Sequence, residues 1–209
     1  MIHGLSSTRH QELRQAVRVL REGGVVAFPT ETYYGLAVDP FNSQALERLF
    51  QLKGRPASKP VAVLIDHLAH LSLLAAVVPK PFQPLMERFW PGPLTLLFPA
   101  HSHLSPLLTA TTGTIGLRIS SHPLAHALAT LAGGVITATS ANLSGNPATV
   151  SSREVETQFR RHLDYLLRDD PTPGGAASTI VAAQPDGLRL VRAGVIPFGE
   201  IEGAAFCAD

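Results

Sequence analysis

The chain has 209 residues, of which 45% are apolar and only 16% are charged. At about 150 residues per domain this length predicts one sizeable domain, and the composition excludes a disordered protein or an extended charged helix. Seventeen Lys and Arg residues against sixteen Asp and Glu residues give a net charge of +1. This balance excludes a uniformly basic surface for nucleic acids and confines any anion site to one part of the molecule.

Several signals of other protein classes are missing. No apolar run reaches the roughly 18 residues that span a membrane, and the start from Met1 to Gly4 does not resemble a signal peptide. The one cysteine, Cys207, excludes an internal disulfide and a multi-cysteine metal site, as expected in a reducing cytosol. We therefore expect a soluble cytoplasmic protein. P-loop, dinucleotide-fingerprint and serine-hydrolase motifs are absent, and the histidine pairs lack a third ligand, so no protein-held metal is predicted.

Helical and apolar segments alternate along the chain. Helices are predicted at 9–22, 43–52, 67–77, 82–89, 123–132 and 152–162, and strands at 24–29, 61–65, 94–98, 115–119, 135–138, 178–183 and 188–192. Because some strands follow one another too closely for parallel crossovers, we expect an α/β fold. Its twisted sheet would mix parallel and antiparallel strands, with helices packed on it. Segments 100–113 and 170–177 have the least regular composition, and the second is either a mobile lid or an ordinary surface loop.

Two polar segments follow buried elements in the first third of the chain. The first, 29–35, follows an apolar strand with hydroxyls, a carboxylate and two aromatic rings, which suits either a small polar ligand or a simple turn. The second, 53–60, contains the three cations Lys53, Arg55 and Lys59 at a helix end, together with the rigid residues Pro56 and Pro60. Compensation of the helix dipole accounts for one lysine but not for three cations, so this segment favours a phosphate site.

Two further polar segments follow in the second half. Within 114–120, Arg118 points away from the apolar face of its strand, toward either solvent or an anionic partner. Segment 137–147 is rich in small hydroxyl and amide residues at the end of an apolar strand. This composition suits either contacts to a sugar, adenine or phosphate, or an ordinary turn.

Together these segments resemble a known family. The chain is similar to the YrdC-like threonylcarbamoyl-AMP synthases over about residues 10–198, within one expected domain at 1–209. The similarity rests on six motifs in the same order: Pro29-Thr30-Glu31-Thr32-Tyr33-Tyr34-Gly35-Leu36, Lys53-Gly54-Arg55-Pro56, Trp90-Pro91-Gly92-Pro93-Leu94-Thr95, Gly116-Leu117-Arg118, Thr139-Ser140-Ala141-Asn142-Leu143-Ser144-Gly145 and Ser178-Thr179-Ile180. Longer members append a second domain, so this chain resembles the short form.

The resemblance implies an enzyme activity. Family members form threonylcarbamoyl-AMP and pyrophosphate from L-threonine, bicarbonate and ATP, with Mg²⁺ expected to accompany the nucleotide. The product supplies the N6-threonylcarbamoyl group of adenosine 37 in tRNA through separate transfer proteins. The enzyme would be an ATP-dependent nucleotidyltransferase.

The resemblance also assigns roles to individual residues. Lys53 and Arg55 are expected to be catalytic and, with Lys59, to hold the triphosphate. Threonine is expected to contact Thr32, Arg118 and either Ser178 or Thr179, with Arg118 at its carboxylate. The remaining implied ATP contacts are Thr114, Ser140, Asn142 and Arg192.

Two other functions fit parts of the sequence. A related domain that adenylates carbamoyl from carbamoyl phosphate, as in hydrogenase maturation, belongs to longer chains with zinc-finger-like cysteines, and this chain has one cysteine. An RNA-binding module would use the basic cluster against phosphates, but the neutral balance of charge makes RNA binding at most a weak secondary property.

Overall fold

The computed structural model describes residues 6–206, without the side chains of residues 161 and 206. The sequence expectations for Met1 to Gly4 and for Cys207 lie outside these residues. Within 6–206 the chain forms seven α-helices: α1 (Ser7–Arg21), α2 (Ser43–Lys53), α3 (Phe82–Phe89), α4 (Pro106–Thr109), α5 (Pro123–Ala132), α6 (Ser152–Phe159) and α7 (Phe198–Phe206). Two 3₁₀ helices occupy Leu68–Leu73 and Arg160–His162.

The same residues contain ten strands: β1 (Val26–Phe28), β2 (Gly35–Ala37), β3 (Val63–Ile65), β4 (Leu94–Pro99), β5 (Thr114–Arg118), β6 (Val135–Thr137), β7 (Thr139–Ser140), β8 (Tyr165–Leu166), β9 (Thr179–Gln184) and β10 (Gly187–Arg192). They form a four-stranded sheet in the order β7-β2-β1-β8 and a six-stranded sheet in the order β10-β9-β4-β5-β3-β6. Each sheet contains both parallel and antiparallel pairs, for example β1 with β8 and β1 with β2.

The two sheets meet where the chain passes from β6 to β7. Val38, directly after β2, donates its N–H to the Thr137 hydroxyl at 2.9 Å, and Thr137 returns its N–H to the Val38 carbonyl at 3.1 Å. One residue, Ala138, separates the strand that closes the larger sheet from the strand that closes the smaller one. The strand ends that carry the polar motifs therefore lie near this junction.

Apolar faces on the helices hold the sheets in place. Leu13 and Leu20 of α1 and Leu128 of α5 belong to one buried cluster that also contains Phe28 of β1. A second cluster joins buried side chains of α2, α3 and α7 to strands of both sheets. The 3.6-residue spacing that predicted the first helix thus corresponds to the face that is buried.

The predicted α/β class with mixed strand directions is confirmed, but the strands divide between two sheets instead of one. Residues 67–77 were predicted as a helix, and only Leu68–Leu73 are helical, as a 3₁₀ helix. The short strands β2, β7 and β8 and the helix α7 were not predicted, and the loose segment 100–113 contains α4. Among residues 6–206, no helix combines the length and apolar character that crossing a bilayer requires.

Candidate functional site

A cavity of about 220 Å³ lies at the junction of the two sheets. Its walls come from the segment after β1, the turn after α2, the middle strands of the larger sheet, the β6–β7 junction and the ends of β9 and β10. The lining residues are Thr30, Thr32, Tyr33, Tyr34, Gly35, Arg55, Pro60, Val61, Ala62, Leu64, Thr95, Leu97, Gly116, Arg118, Ala138, Thr139, Ser140, Ala177, Ser178, Ile180 and Arg192.

Three guanidinium groups face this cavity from separate parts of the fold. Arg55 follows α2, Arg118 ends β5, and Arg192 ends β10. Burial lowers the pKa of each from its ordinary value, and for Arg192 the nearby charge of Arg118 lowers it further. Arginine remains cationic because its ordinary pKa is so high. A chain of net charge +1 therefore concentrates positive charge in one cavity, which favours an anionic ligand.

Arg118 is buried and faces the cavity from the larger sheet. Its side chain is 8% exposed, and its Nη1 donates to Oε1 of Glu31 at 2.8 Å. The sequence left two environments open for this residue, a solvated strand face or an anionic partner, and the structure shows the second. Glu31 belongs to the polar segment after β1, so this pair joins two of the predicted motifs.

Arg55 is held in place by the turn that follows α2. Gly54 ends the helix with φ of 57°, a left-handed conformation that glycine adopts readily. From there the Arg55 Nε donates to the carbonyl of Lys59 at 3.1 Å and Nη2 donates to the carbonyl of Pro60 at 2.6 Å. The proline-bracketed segment thus wraps around the guanidinium and presents it to the cavity. Lys59 itself is exposed and does not line the cavity.

Lys53 lies beneath the cavity wall instead of in it. Its side chain is 2% exposed, and its Nζ donates to the carbonyls of Ser140 and Asn142, the latter at 2.6 Å. Burial, and then the charge of Arg55, lower the pKa of Lys53 to about 7. This geometry favours a supporting role for Lys53 over the direct phosphate contact expected from the sequence.

The 140–146 turn, which accepts the hydrogen bonds of Lys53, also contains hydrogen bonds within itself. Asn142 uses its Nδ2 to donate to the carbonyls of Leu143 and Asn146 at 2.9 and 2.6 Å, and it does not line the cavity. Ser140 does line it. Of the two residues predicted here to contact the nucleotide, Ser140 faces the cavity and Asn142 shapes the turn behind it.

Ser178 and Arg192 form a second polar group at the cavity. Arg192 donates from Nε and Nη2 to the carbonyl of Ser178 at 3.1 and 2.8 Å, and from Nη2 to its hydroxyl at 2.9 Å. The Ser178 hydroxyl also lies 2.9 Å from the Thr95 hydroxyl. Thr179 faces away, because its hydroxyl exchanges hydrogen bonds with the main chain of Ile196. Of the alternatives Ser178 and Thr179, only Ser178 lines the cavity.

Two threonine hydroxyls in the segment after β1 also face the cavity. Thr30 Oγ1 donates to the carbonyl of Tyr33 at 2.6 Å and lies 3.1 Å from Thr32 Oγ1. A hydroxyl has one proton, so Thr32 is the donor between the two and keeps lone pairs free to accept a hydrogen bond. Such an acceptor suits an amine or ammonium group.

Thr114 does not join this group of residues. It begins β5, four residues before Arg118, and its hydroxyl lies 2.9 Å from that of Thr112. At about 3.4 Å per residue in an antiparallel strand, Thr114 and Arg118 lie near opposite ends of β5. Thr114 is not among the lining residues.

Sequence reasoning assigned no role to three residues that the structure places at the site. Glu31 pairs with Arg118, and Thr95 contacts Ser178. Tyr34 lines the cavity while its Oη accepts the N–H of Asp169 at 2.8 Å, and burial raises its pKa to about 12. All three lie within motifs that support the resemblance, which was the available signal. The 170–177 segment also reaches the site, since Gly174 donates its N–H to the Thr32 carbonyl at 2.7 Å.

Comparison with known proteins decides the family. The sequence model of the Sua5/YciO/YrdC family, described as "Telomere recombination", matches residues 18–194. The chain belongs to the Sua5/YciO/YrdC family. A relative from Bacillus subtilis (strain 168), named threonylcarbamoyl-AMP synthase, is 39% identical over 197 residues, which cover 94% of this chain and 57% of that protein.

Solved structures of family members have the same fold. P. abyssi Sua5, crystallised in complex with L-threonine, superposes with a TM-score of 0.88 at 36% identity, over 92% of this chain and 56% of that one. E. coli YciO superposes with a TM-score of 0.80 at 25% identity, over 90% of this chain and 91% of its own. The chain thus spans little more than half the length of the B. subtilis protein and of P. abyssi Sua5, and about the full length of YciO.

Proposed function

We propose that the cavity binds L-threonine and ATP and that the chain forms threonylcarbamoyl-AMP, as an ATP-dependent nucleotidyltransferase. The observation that carries this proposal is the convergence of Arg55, Arg118 and Arg192 on one hydroxyl-lined cavity in a member of the Sua5/YciO/YrdC family. The name of the B. subtilis relative and the L-threonine complex of P. abyssi Sua5 support it.

The chemistry requires two anions to meet. The amine of threonine and bicarbonate form a carbamate with release of water. One carbamate oxygen then bonds to the α-phosphorus of ATP as the bond to the bridging oxygen breaks, and pyrophosphate leaves. This displacement needs no protein nucleophile, in keeping with the absence of a hydrolase motif. Placing the two anions side by side is the main task, and positioning can contribute about 7–11 kcal/mol to such a step.

The cavity supplies groups for each substrate. Arg118 is proposed to bind the threonine carboxylate, with Thr32 accepting from its nitrogen and Ser178 contacting the rest of the amino acid. Arg55, Arg192 and Ser140 are proposed to contact ATP, and their fixed donors would stabilise charge that builds up on the phosphates. Lys53 and Asn142 are proposed to act through the shape of the 140–146 turn, since both are bonded within it.

ATP is proposed to enter as its Mg²⁺ complex. No carboxylate is among the described residues that line the cavity, so the phosphates themselves would hold most of the ion's coordination sphere, as is common for Mg²⁺. We also propose that the product passes to separate proteins that transfer the threonylcarbamoyl group to tRNA in the cytoplasm. Weak direct RNA binding remains a prediction of the basic segment 53–60.

Release of pyrophosphate tests the activity. The purified chain is incubated with Mg²⁺-ATP, bicarbonate and L-threonine, and with each one omitted in turn, while pyrophosphate is measured and the adenylate is identified by mass spectrometry. We expect pyrophosphate and threonylcarbamoyl-AMP only when all three substrates are present. Pyrophosphate release that is indifferent to threonine, or an adenylate of another acid from a mixture of amino acids, would contradict the proposal.

A further inference from the structure

We infer that Glu31 is a positioning residue, which orients the Arg118 guanidinium for a ligand carboxylate without touching the ligand itself. The inference rests on the proposed function, because the carboxylate in question is that of threonine. It concerns a residue to which neither the sequence motifs nor the comparisons assign a role.

Glu31 binds the Arg118 guanidinium without being part of the cavity lining. Its side chain is 13% exposed and is not part of the cavity lining, whereas Arg118 is. Thr30 and Thr32, on either side of Glu31 in the chain, line the cavity, whereas Glu31 does not. The carboxylate therefore does not occupy the space in which a ligand would bind.

Both oxygens of Glu31 have fixed donors. Oε1 accepts from Arg118 Nη1 at 2.8 Å, and Oε2 accepts from the hydroxyl of Ser120. The direction of the Ser120 hydroxyl is set in turn, because its oxygen accepts the N–H of His122 at 3.2 Å and its one proton is left for Glu31. Arg118 and Ser120, the latter oriented by His122, thus hold the carboxylate from one short segment, 118–122.

Glu31 bonds to the Arg118 guanidinium through Nη1 and leaves the other N–H donors of that group for a ligand. Arginine has five N–H donors in one plane, and among the described residues Glu31 is the hydrogen-bond partner of Arg118. Planar, bidentate recognition of a carboxylate depends on the angle of that plane. Glu31 also offsets the positive charge of Arg118. That charge matters for the rest of the cavity, because Arg118 lies close enough to Arg192 to lower its pKa.

Binding of L-threonine and of L-threonine amide, measured by calorimetry, tests the inference. The amide lacks the carboxylate that Arg118 would recognise. Glu31→Gln keeps the size of the side chain but removes its charge and one acceptor. We expect it to weaken L-threonine binding about tenfold or more, the order expected for losing a hydrogen bond to a charged group, and to change amide binding less than about threefold on the same scale.

A double variant separates positioning from general damage. In an Arg118→Ala background, Glu31→Gln should have no further effect on threonine binding. Glu22→Gln is the matched control, because Glu22 also pairs with an arginine, Arg18 at 2.9 Å, but on the surface of α1. It should bind threonine like the wild type. If Glu31→Gln does not fold, Ser120→Ala removes the second donor to Glu31 and should weaken threonine binding selectively.

The outcomes are distinct. Equal threonine affinity in the wild type and Glu31→Gln, or equal weakening for threonine and its amide, would overturn the inference and leave the proposed function intact. A wild-type chain that binds no threonine would overturn both. Selective loss that disappears in the Arg118→Ala background would establish the positioning role.

Discussion

The Nζ atom of Lys53 lies 2.6 Å from the carbonyl oxygen of Asn142, a residue 89 positions further along the chain. A second bond, to the carbonyl of Ser140, completes the attachment of the end of α2 to the turn after β7. The Ser144 N–H donates back to the Lys53 carbonyl at 2.8 Å. Lys53 therefore connects two of the motifs that carry the family resemblance.

Removal of this connection should destabilise the fold. Lys53→Met keeps the aliphatic length but leaves two carbonyls of the buried turn without their donor, at a cost of about 1–3 kcal/mol each for a buried unsatisfied group. Lys59→Met is the matched control, since Lys59 is exposed, and it should stay within about 0.5 kcal/mol. Denaturant unfolding of the three proteins measures the difference. Equal midpoints for Lys53→Met and the wild type would show that the two bonds contribute nothing.

The stability difference between the wild type and Lys53→Met should depend on pH. The pKa of Lys53 is lowered from 10.5 to about 7 in the folded chain, so above pH 7 the unfolded chain binds more protons at this site. The unfolding free energy of the wild type should therefore rise relative to the variant between about pH 7 and 10, by at most about 1.4 kcal/mol per pH unit.

Below about pH 7 both states carry the proton, and the difference should level off. Denaturant curves of the wild type and Lys53→Met at pH 6, 7, 8 and 9 test this. A wild-type advantage that stays constant from pH 6 to 9 would mean that the Lys53 ammonium keeps its ordinary pKa inside the fold.

Arg55 and Lys59 should differ sharply in function although they are only four residues apart. Arg55 lines the cavity, while Lys59 is exposed and contributes its carbonyl to hold Arg55. We expect Arg55→Ala to lower kcat/KM for ATP about 100-fold or more, as for loss of a preorganised donor, and Lys59→Ala to lower it only a few-fold. Initial rates of pyrophosphate release give both values. Comparable losses of kcat/KM in the two variants would instead support the triphosphate contact that the sequence predicted for Lys59.

Position 194 packs against the backbone of residues 177–179, and we expect it to tolerate only glycine. A Cβ at this position would lie 2.2 Å from the carbonyl oxygen of Ala177 and 2.4 Å from the Thr179 nitrogen. Gly194→Ala should therefore displace the Ser178 segment, destabilise the fold by about 1–3 kcal/mol or more, and raise KM for threonine. Gly199→Ala is the control, because a Cβ there meets nothing within 4 Å and α7 gains a better helix former. Similar melting temperatures for the two variants would contradict this account.

The sequence predicted elements well where one face of a segment decides the structure. The apolar stripe of Leu13, Val17 and Leu20 predicted a helix at 9–22, and α1 covers Ser7–Arg21. The strands β2 and β7 have three and two residues; β2 pairs with β1, and β7 is held in the sheet by pairing of Ser140 with Gly35 and of Thr139 with Leu36. Pairing between residues about 100 positions apart leaves no local periodicity, so the second sheet could not be predicted.

The site residues also divide into those that the local sequence indicates and those whose role depends on a distant partner. The segments that contain Thr32, Arg55 and Arg118 indicated a ligand, the resemblance added Ser178, and the structure brings all four to one cavity. The position of Lys53 could not be predicted, because the local sequence around a lysine at a helix end is the same in two cases. Its ammonium can face a ligand or can bond to a distant loop, as it does here. Glu31 was visible only as a carboxylate in a polar turn, since its partner Arg118 is 87 residues away.

Ala138 is the one residue between β6 in the larger sheet and β7 in the smaller sheet, and it lines the cavity. A ligand there would touch both sheets across this short link and brace them against each other. Amide hydrogen exchange should then slow on both sides of Ala138 when substrate is added. Binding of a ligand in this one cavity would thus reduce the motion of both sheets.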